Sequence, residues 1–431
     1  MLERIFKLAE NKTTVRQELL AGLTTFVTMA YVVVVNPRIL SQSGMPIEGV
    51  LFATCISAAT ATLVMGLWAN YPIALAPGMS LNAYFTYSIV LGRGVPWQTA
   101  LGVVFLSGVL FLILTLSRVR EQIVNGIPDC LKYGTAAGIG LFIAFVGLQN
   151  AKLVVARPAT LVSLGSLSDP GSQMAIAGLI FTALLMARRV RAAILLGIVV
   201  TTTLGMLRGV SPWPAHLLSL PHPSGTLLKL DLPAAFRLGL ADMVFAFFFV
   251  DLFDNIGTLV GVCEQAGFMK YGQLPRASRA LMADAAGTLF GALTGTSTVT
   301  SYIESAAGVA AGARTGLGNL LIAALFFAAM FCAPLVSAIP AYATAPALIL
   351  VGALMCGSVA HVRWDDFSDG LPAFLTILAT PLTFSVATGL SLGLIGYTLI
   401  KSGAGKWREV SPLIWVLTAL FLLRYVYLAI E

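Results

Sequence analysis

Long apolar runs recur along the whole chain, at roughly 17–36, 48–68, 72–91, 95–117, 127–151, 172–187, 191–209, 235–260, 276–294, 296–311, 316–337, 342–360, 370–383, 385–401 and 412–429. A helix of about 20 apolar residues is what a bilayer core requires of a spanning segment. Composition agrees: 58% of the residues are hydrophobic and 10% charged, against about 25% charged in soluble domains. So little charge cannot cover a soluble surface of this size. The expected fold class is an all-α polytopic membrane protein with no sizeable soluble domain.

The net charge of +7 does not point to nucleic acid, because Lys and Arg gather in short clusters between apolar runs, the positive-inside pattern. If the first fourteen segments cross and the N-terminus is cytoplasmic, the basic loops fall on one side. They are 118–132 (Arg118, Arg120, Lys132), 188–191, 262–280 (Lys270, Arg276, Arg279), 361–363 and 401–408. The N-terminal stretch has no apolar core followed by a small-residue cleavage site, so a cytoplasmic amphipathic lead-in is expected rather than a signal peptide. These features predict a multi-pass protein of the plasma (inner) membrane, surrounded by lipid. The segment 412–429 is either a fifteenth span or a surface helix. The five cysteines stand singly, without metal-ligand spacing.

Two segments break the helical pattern. Residues 72–82, PIALAPGMSLN, hold two prolines, which a continuous helix does not accommodate. Residues 291–301, GALTGTSTVTS, are rich in Gly, Thr and Val and favour extended backbone. Extended backbone at membrane depth is tolerated only inside protein or along a water-filled cavity. The two breaks occupy corresponding places in the two halves of the chain. An offset of 222 residues sets Asn82 on Glu304 and Met29 on Asp251. Seven spans before the second half make the repeat inverted, and paired interrupted segments point to a transporter site near the midplane.

Asp251, Asp254, Glu304 and Asn82 stand at membrane depth. A carboxylate at a helix centre costs about 2.5–3.5 kcal/mol on insertion. Asp251 and Asp254 share one helix face, together with Phe247 and Thr258. Pairing with basic residues is the competing role, but Arg93, Arg237, Arg279 and Arg314 all sit near span ends. Glu304 and Asn82 each follow a broken stretch, near half-helix N-termini that suit polar ligand atoms. With aromatic faces from Phe247, Phe248, Tyr84 and Tyr302, the set fits a small, flat, hydrogen-bonding heterocycle better than a simple ion. Gly134, Gly138 and Gly140 have the spacing of close helix packing. His216, His222 and His361 lie in loops, so a transported proton has to ride on a carboxyl group.

Four stretches resemble nucleobase–cation symporter family 2, and within it the AzgA-like adenine, guanine and hypoxanthine permeases. They are NKTTVRQELLAGLTTFVTMAYVVVVNP, APGMSLNAYFTYSIVLG, FVDLFDNIGTLVGV and GTSTVTSYIESAAGVAAGARTGL. The resemblance covers nearly the whole chain. It implies about fourteen spans as two inverted repeats of seven, the uracil-transporter-like fold, with short strands opening segments 3 and 10 and pairing at the midplane. It implies a core domain from 14–118 and 235–337, a gate domain from 119–210 and 340–401, and 412–429 as an extra C-terminal helix. It also implies a purine site with Asp251 and Glu304 as the main carboxylates, Asn82 from segment 3, and Phe247, Tyr302 and Ile303 beside them. Asp254 is a neighbouring carboxyl for proton coupling or tuning, a role open to Asp251 and Glu304 as well. A homodimer is a further implication. One departure stands out: the uracil and xanthine branches carry Glu at the position of Asp251 and His or an acid at that of Asn255, which favours purines here.

The expected function is purine import by proton symport through alternating access, with no cofactor beyond the proton. Three rivals are a uracil, xanthine or anion transporter of the same fold, a passive facilitator and a membrane-embedded enzyme. The last has little support, since no Ser/His, HExxH or His-cluster arrangement occurs in the spans.

Overall fold

A computed structural model describes residues 2–116, 127–214, 216, 218–221, 225–237, 241–268 and 276–430. Arg118, Arg120, His222 and Lys270 lie outside the described residues. Clustering of the chain gives two compact units, Met1–Leu116 with Gly147–Ala347, and Ser117–Val146 with Leu348–Glu431.

The first unit opens with a short helix, α1 (Leu2–Phe6), which buries Phe6. The first apolar run is broken into α2 (Val15–Met29) and α3 (Val32–Ser41), with Tyr31 at the joint. Then come α4 (Ile47–Val64), β1 (Leu75–Pro77), α5 (Met79–Ala83) and α6 (Trp97–Leu116). Residues Met65–Ala69 and Tyr84–Leu91 have wide π-helical turns. After α7 (Asp129–Asn150) a hairpin forms, β2 (Val154–Arg157) with β3 (Leu161–Leu164). This hairpin falls between two apolar runs of the sequence, 127–151 and 172–187. Its strands alternate too little to announce themselves, and the pairing rests on the β-branched residues flanking the Pro158 turn.

The second half runs α8 (Pro170–Ala187), α9 (Ala193–Leu207), α10 (Leu232–Arg237), α11 (Ala241–Gln265), α12 (Ala277–Thr294), β4 (Val299–Ser301), α13 (Ser305–Ala310), α14 (Leu317–Ala329), α15 (Ala333–Ala338) and α16 (Ala341–Cys356). The chain ends with α17 (Phe367–Leu382), α18 (Val386–Gly403) and α19 (Pro412–Ile430). Among the described residues, seven helical stretches are long and apolar enough to cross a membrane. The chain is therefore an integral multi-pass membrane protein.

Strands β1 and β4 pair antiparallel, with Leu75 opposite Ser301, Ala76 opposite Thr300 and Pro77 opposite Val299. Gly78 N–H donates to Thr298 O and Tyr302 N–H to Ala74 O, each at 3.0 Å, extending the ladder at both ends. Before each strand the preceding helical stretch stops at a left-handed residue, Asn70 (φ 51°) in one half and Gly295 (φ 106°) in the other. Glycine adopts that conformation without a steric cost, and Asn is the usual substitute at a helix end.

Two sequence expectations change in detail. Residues 291–294 are helical rather than extended, because Thr294 bonds its hydroxyl back to Phe290 O and Gly291 O and the turn is delayed to Gly295. The strands begin 224 residues apart, not 222. At that offset the counterpart of Glu304 is Ser80 rather than Asn82.

Close glycine contacts set the helix spacing in the first unit. A Cβ on Gly22 of α2 would lie 2.6 Å from Gly318 O of α14, so no larger residue fits at this crossing. The start of α14 is capped from a distance. Glu18 Oε1 accepts from the N–H groups of Arg314 (2.8 Å) and Thr315 (3.1 Å), and Asn70 Oδ1 from that of Gly316 (2.7 Å).

In the second unit, added Cβ atoms at Gly134, Gly138 and Gly140 would press on Ala373, Thr380 and Gly352, so these glycines do serve packing. Helix α19 lies antiparallel to α18. Thr398 and Thr418 share a hydrogen bond of 2.7 Å, Ser391 and Tyr425 one of 2.6 Å, both pairs seven residues apart along their helices. The outer face of α19 carries Trp415, Val416, Leu420 and Leu423, a surface suited to lipid.

Candidate functional site

Helix α11 carries Asp251 and Asp254 three residues apart on one face, with Asn255 and Thr258 as further polar residues in an otherwise apolar stretch. Asp251 is buried, at 2% exposure, while Asp254 is partly exposed. Ser80 Oγ, near the start of α5, donates to Asp254 Oδ2 at 3.4 Å. One turn before Asp251, Phe247 is fully buried and meets the ring of Tyr84 edge-on at 5.1 Å.

Paired strands deliver the remaining groups. Asn82 lies in α5, one turn past β1, and is fully buried. Its Oδ1 accepts from Ser297 Oγ, and its Nδ2 has no hydrogen-bond partner among the described residues. Glu304 stands at the N-cap of α13, partly exposed, and its Oε1 accepts a hydrogen bond from Tyr31 OH at 2.5 Å. That short, charge-assisted contact joins the break in the first run to the end of β4. Tyr302 is buried, and its OH donates to Pro77 O at 2.6 Å, tying the two strands a second time. Asp254, Glu304, Tyr31 and Tyr302 share one electrostatic neighbourhood.

The structure therefore gathers Asp254, Glu304 and Tyr302 about the paired strands, with Asn82 reaching β4's approach through Ser297. Asp251 and Phe247 sit behind on the same helix as Asp254. Ile303 is 54% exposed, and its Cδ1 would lie 3.9 Å from a Cβ added at Gly261 of α11, ten residues beyond Asp251. Tyr31, Ser80 and Ser297 were not singled out from the sequence. Small hydroxyls such as Ser80 and Ser297 have no signal beyond lying inside the broken segments.

Two groups at partly exposed positions, both carboxyls, stand where fully buried side chains surround them. Such a site offers acceptors when ionised, and donor and acceptor when protonated. Asn82 adds an unspent amide donor. Such a set of groups can pair with N–H and ring-nitrogen atoms of a neutral ligand, and ionised carboxyls disfavour an anion.

Residues 16–392 match the permease family Xan_ur_permease. A putative permease of Methanocaldococcus jannaschii is 54% identical over 99% of this chain and 99% of its own length. A guanine/hypoxanthine permease of Bacillus subtilis is 46% identical over 97% of this chain and 99% of its own. An adenine permease of Escherichia coli is 44% identical over 99% and 96%. Among solved structures, the transmembrane domain of a cyanobacterium bicarbonate transporter superposes with a TM-score of 0.66 at 16% identity, over 86% of this chain and 97% of that one. The murine solute carrier 26 family member A9 anion transporter, inward-facing, gives 0.65 at 11% identity, over 90% and 68%. Those two likenesses are of fold, and the fold is the uracil-transporter-like one, here with the paired short strands β1 and β4.

Proposed function

The chain belongs to the permease family Xan_ur_permease, that of nucleobase–cation symporter family 2, and on that premise we propose that it imports a purine base, adenine, guanine or hypoxanthine, together with protons. Glu304 and Asp251 hold the polar edge of the base, and Asn82 contributes its free amide hydrogens. Tyr302, Phe247 and Ile303 form the apolar surroundings. Asp254 is the more exposed of the two aspartates and among the described residues is held by a long bond from Ser80, which suits a group that gains and loses a proton. Neutralising a carboxyl as substrate enters avoids carrying an uncompensated charge through the membrane. The expected core, 14–118 with 235–337, then moves relative to the gate, 119–210 with 340–401, to alternate access, with the N-terminus on the cytoplasmic side.

One observation carries this reading: Glu304, at the end of β4 and bonded to Tyr31, and Asp254, bonded to Ser80 just past β1, flank the paired strands, where among the described residues the Asn82 amide keeps unspent donors. Relatives with purine permeases among them, similar over nearly their full lengths, support the substrate class. Anion transport has the fold likeness behind it, but a site lined by carboxyls repels an anion.

Uptake of labelled adenine, guanine and hypoxanthine into proteoliposomes with an imposed pH gradient tests it. Concentrative uptake that a protonophore abolishes is expected. A charge-assisted hydrogen bond contributes about 1.5–3 kcal/mol, so Glu304→Gln and Asp251→Asn should each weaken half-saturation roughly tenfold to a hundredfold. Normal accumulation by both variants would remove these residues from the site, and uptake indifferent to the protonophore would favour a passive facilitator.

A further inference from the structure

A two-stranded ribbon buried in a membrane protein has an outer edge on each strand whose N–H and C=O groups find no third strand and no water. Each unpaired group is costly there, so each needs a substitute partner. In this protein the substitute is one threonine per repeat. Thr62 of α4 donates through Oγ1 to Leu75 O at 3.0 Å and accepts from Leu75 N–H at 2.9 Å. Thr288 of α12 donates to Val299 O at 3.1 Å and accepts from Val299 N–H at 3.2 Å.

The correspondence between the repeats is close. Leu75 and Val299 are each the first residue of their strand, and each threonine sits on the helix immediately before it. Thr62, Thr288, Leu75 and Val299 are all buried to 0% exposure. The other outward position on β1 is a proline without an N–H, and its carbonyl is taken by Tyr302 OH. Asn319 Nδ2 of α14 adds a fastening on the first repeat, 3.2 Å from Thr62 O, 3.1 Å from Tyr71 O and 3.0 Å from Ile73 O. A hydroxyl that both donates and accepts replaces a whole residue of a neighbouring strand, a feature that valine's equal shape cannot supply.

We propose that Thr62 and Thr288 are positioning residues for the purine site: each fixes one strand to its own repeat's preceding helix and so sets where Asn82 and Glu304 stand. Neither threonine touches substrate. This rests on the reading that Asn82 and Glu304 bind the base, and it goes beyond that reading by assigning their placement to two hydroxyls outside the site.

The test uses the full chain in proteoliposomes, with Thr62→Val, Thr288→Val, Thr62→Ser and Thr288→Ser. Two measurements are made on each: half-saturation and maximal rate for labelled hypoxanthine, adenine and guanine, and amide hydrogen exchange over 74–77 and 298–301. Leaving a buried donor and acceptor without partners has a cost that loosens the strand, so each valine variant should raise half-saturation about tenfold, with maximal rate within about twofold. Exchange should quicken in the matching strand, and the serine variants should restore both. Valine variants with quickened exchange but unchanged half-saturation would overturn the proposal, as would serine variants as impaired as valine. If Glu304→Gln itself transported normally, the site reading would fail instead, and the exchange result would still report on the clamp.

Discussion

At the scale of single residues, Tyr31 is the group that most changes the picture drawn from the sequence. Its hydroxyl holds one oxygen of Glu304 at 2.5 Å. Tyr31→Phe keeps the ring and removes the donor. Because a charge-assisted hydrogen bond contributes about 1.5–3 kcal/mol, half-saturation for purines should rise roughly tenfold or more while surface expression holds. Uptake kinetics unchanged from the native protein would show that Glu304 is oriented by something else. The carboxyl pair was legible from residue type and position alone, since acids are expensive at membrane depth. Its hydroxyl partners were not, because Tyr and Ser are ordinary in apolar spans and acquire a role only when another element arrives beside them.

At the scale of elements, two features invite measurement. Gly22 and Gly318 bring α2 and α14 into backbone contact, and overpacking a tight contact costs about 1–3 kcal/mol. Gly22→Val should lower the melting temperature in detergent by several degrees, and a melting curve identical to that of the native protein would show that the crossing relaxes freely. The second feature is the ionic cluster at the end of α18. Lys401, 1% exposed, lies 2.9 Å from Asp369 Oδ1 and 2.7 Å from Glu409 Oε2, while Lys406 bonds Asp366 at 2.8 Å. Outside the spans, the hydrogen bond from Lys406 and then those from Ser368 hold the Asp366 carboxyl below its ordinary range, and the bond from Lys401 does the same for Glu409. Both groups bind protons more readily unfolded than folded, so their contribution is present above the ordinary carboxylate range of about 4. It is lost as pH falls through the depressed folded values. Melting temperature should therefore drop on acidification below about pH 4, and Lys406→Met should flatten that dependence. An acid-side slope unaltered by the substitution would exclude the Lys406–Asp366 contact as its source.

At the scale of the whole molecule, positive-inside charge predicts a cytoplasmic N-terminus. Single cysteines placed at the N-terminus and at Arg279 should resist a membrane-impermeant thiol reagent in intact cells and react after permeabilisation. Labelling in intact cells at both sites would invert the orientation.

The sequence by itself determined the class of protein, the bounds of nearly every long helix, the two broken segments and the carboxyls set among them. It could do so because hydropathy, proline and buried charge act locally, and their cost does not depend on which helix lies alongside. Tertiary structure alone decided the register in which β1 and β4 pair, with their starts 224 residues apart, and that Tyr31 meets Glu304 across 273 positions of chain. It also decided that Thr62 and Thr288 complete the ribbon's outer edge. Each of these is a hydrogen bond between residues far apart in the chain, and a donor's identity does not reveal its acceptor until folding has removed water as the alternative.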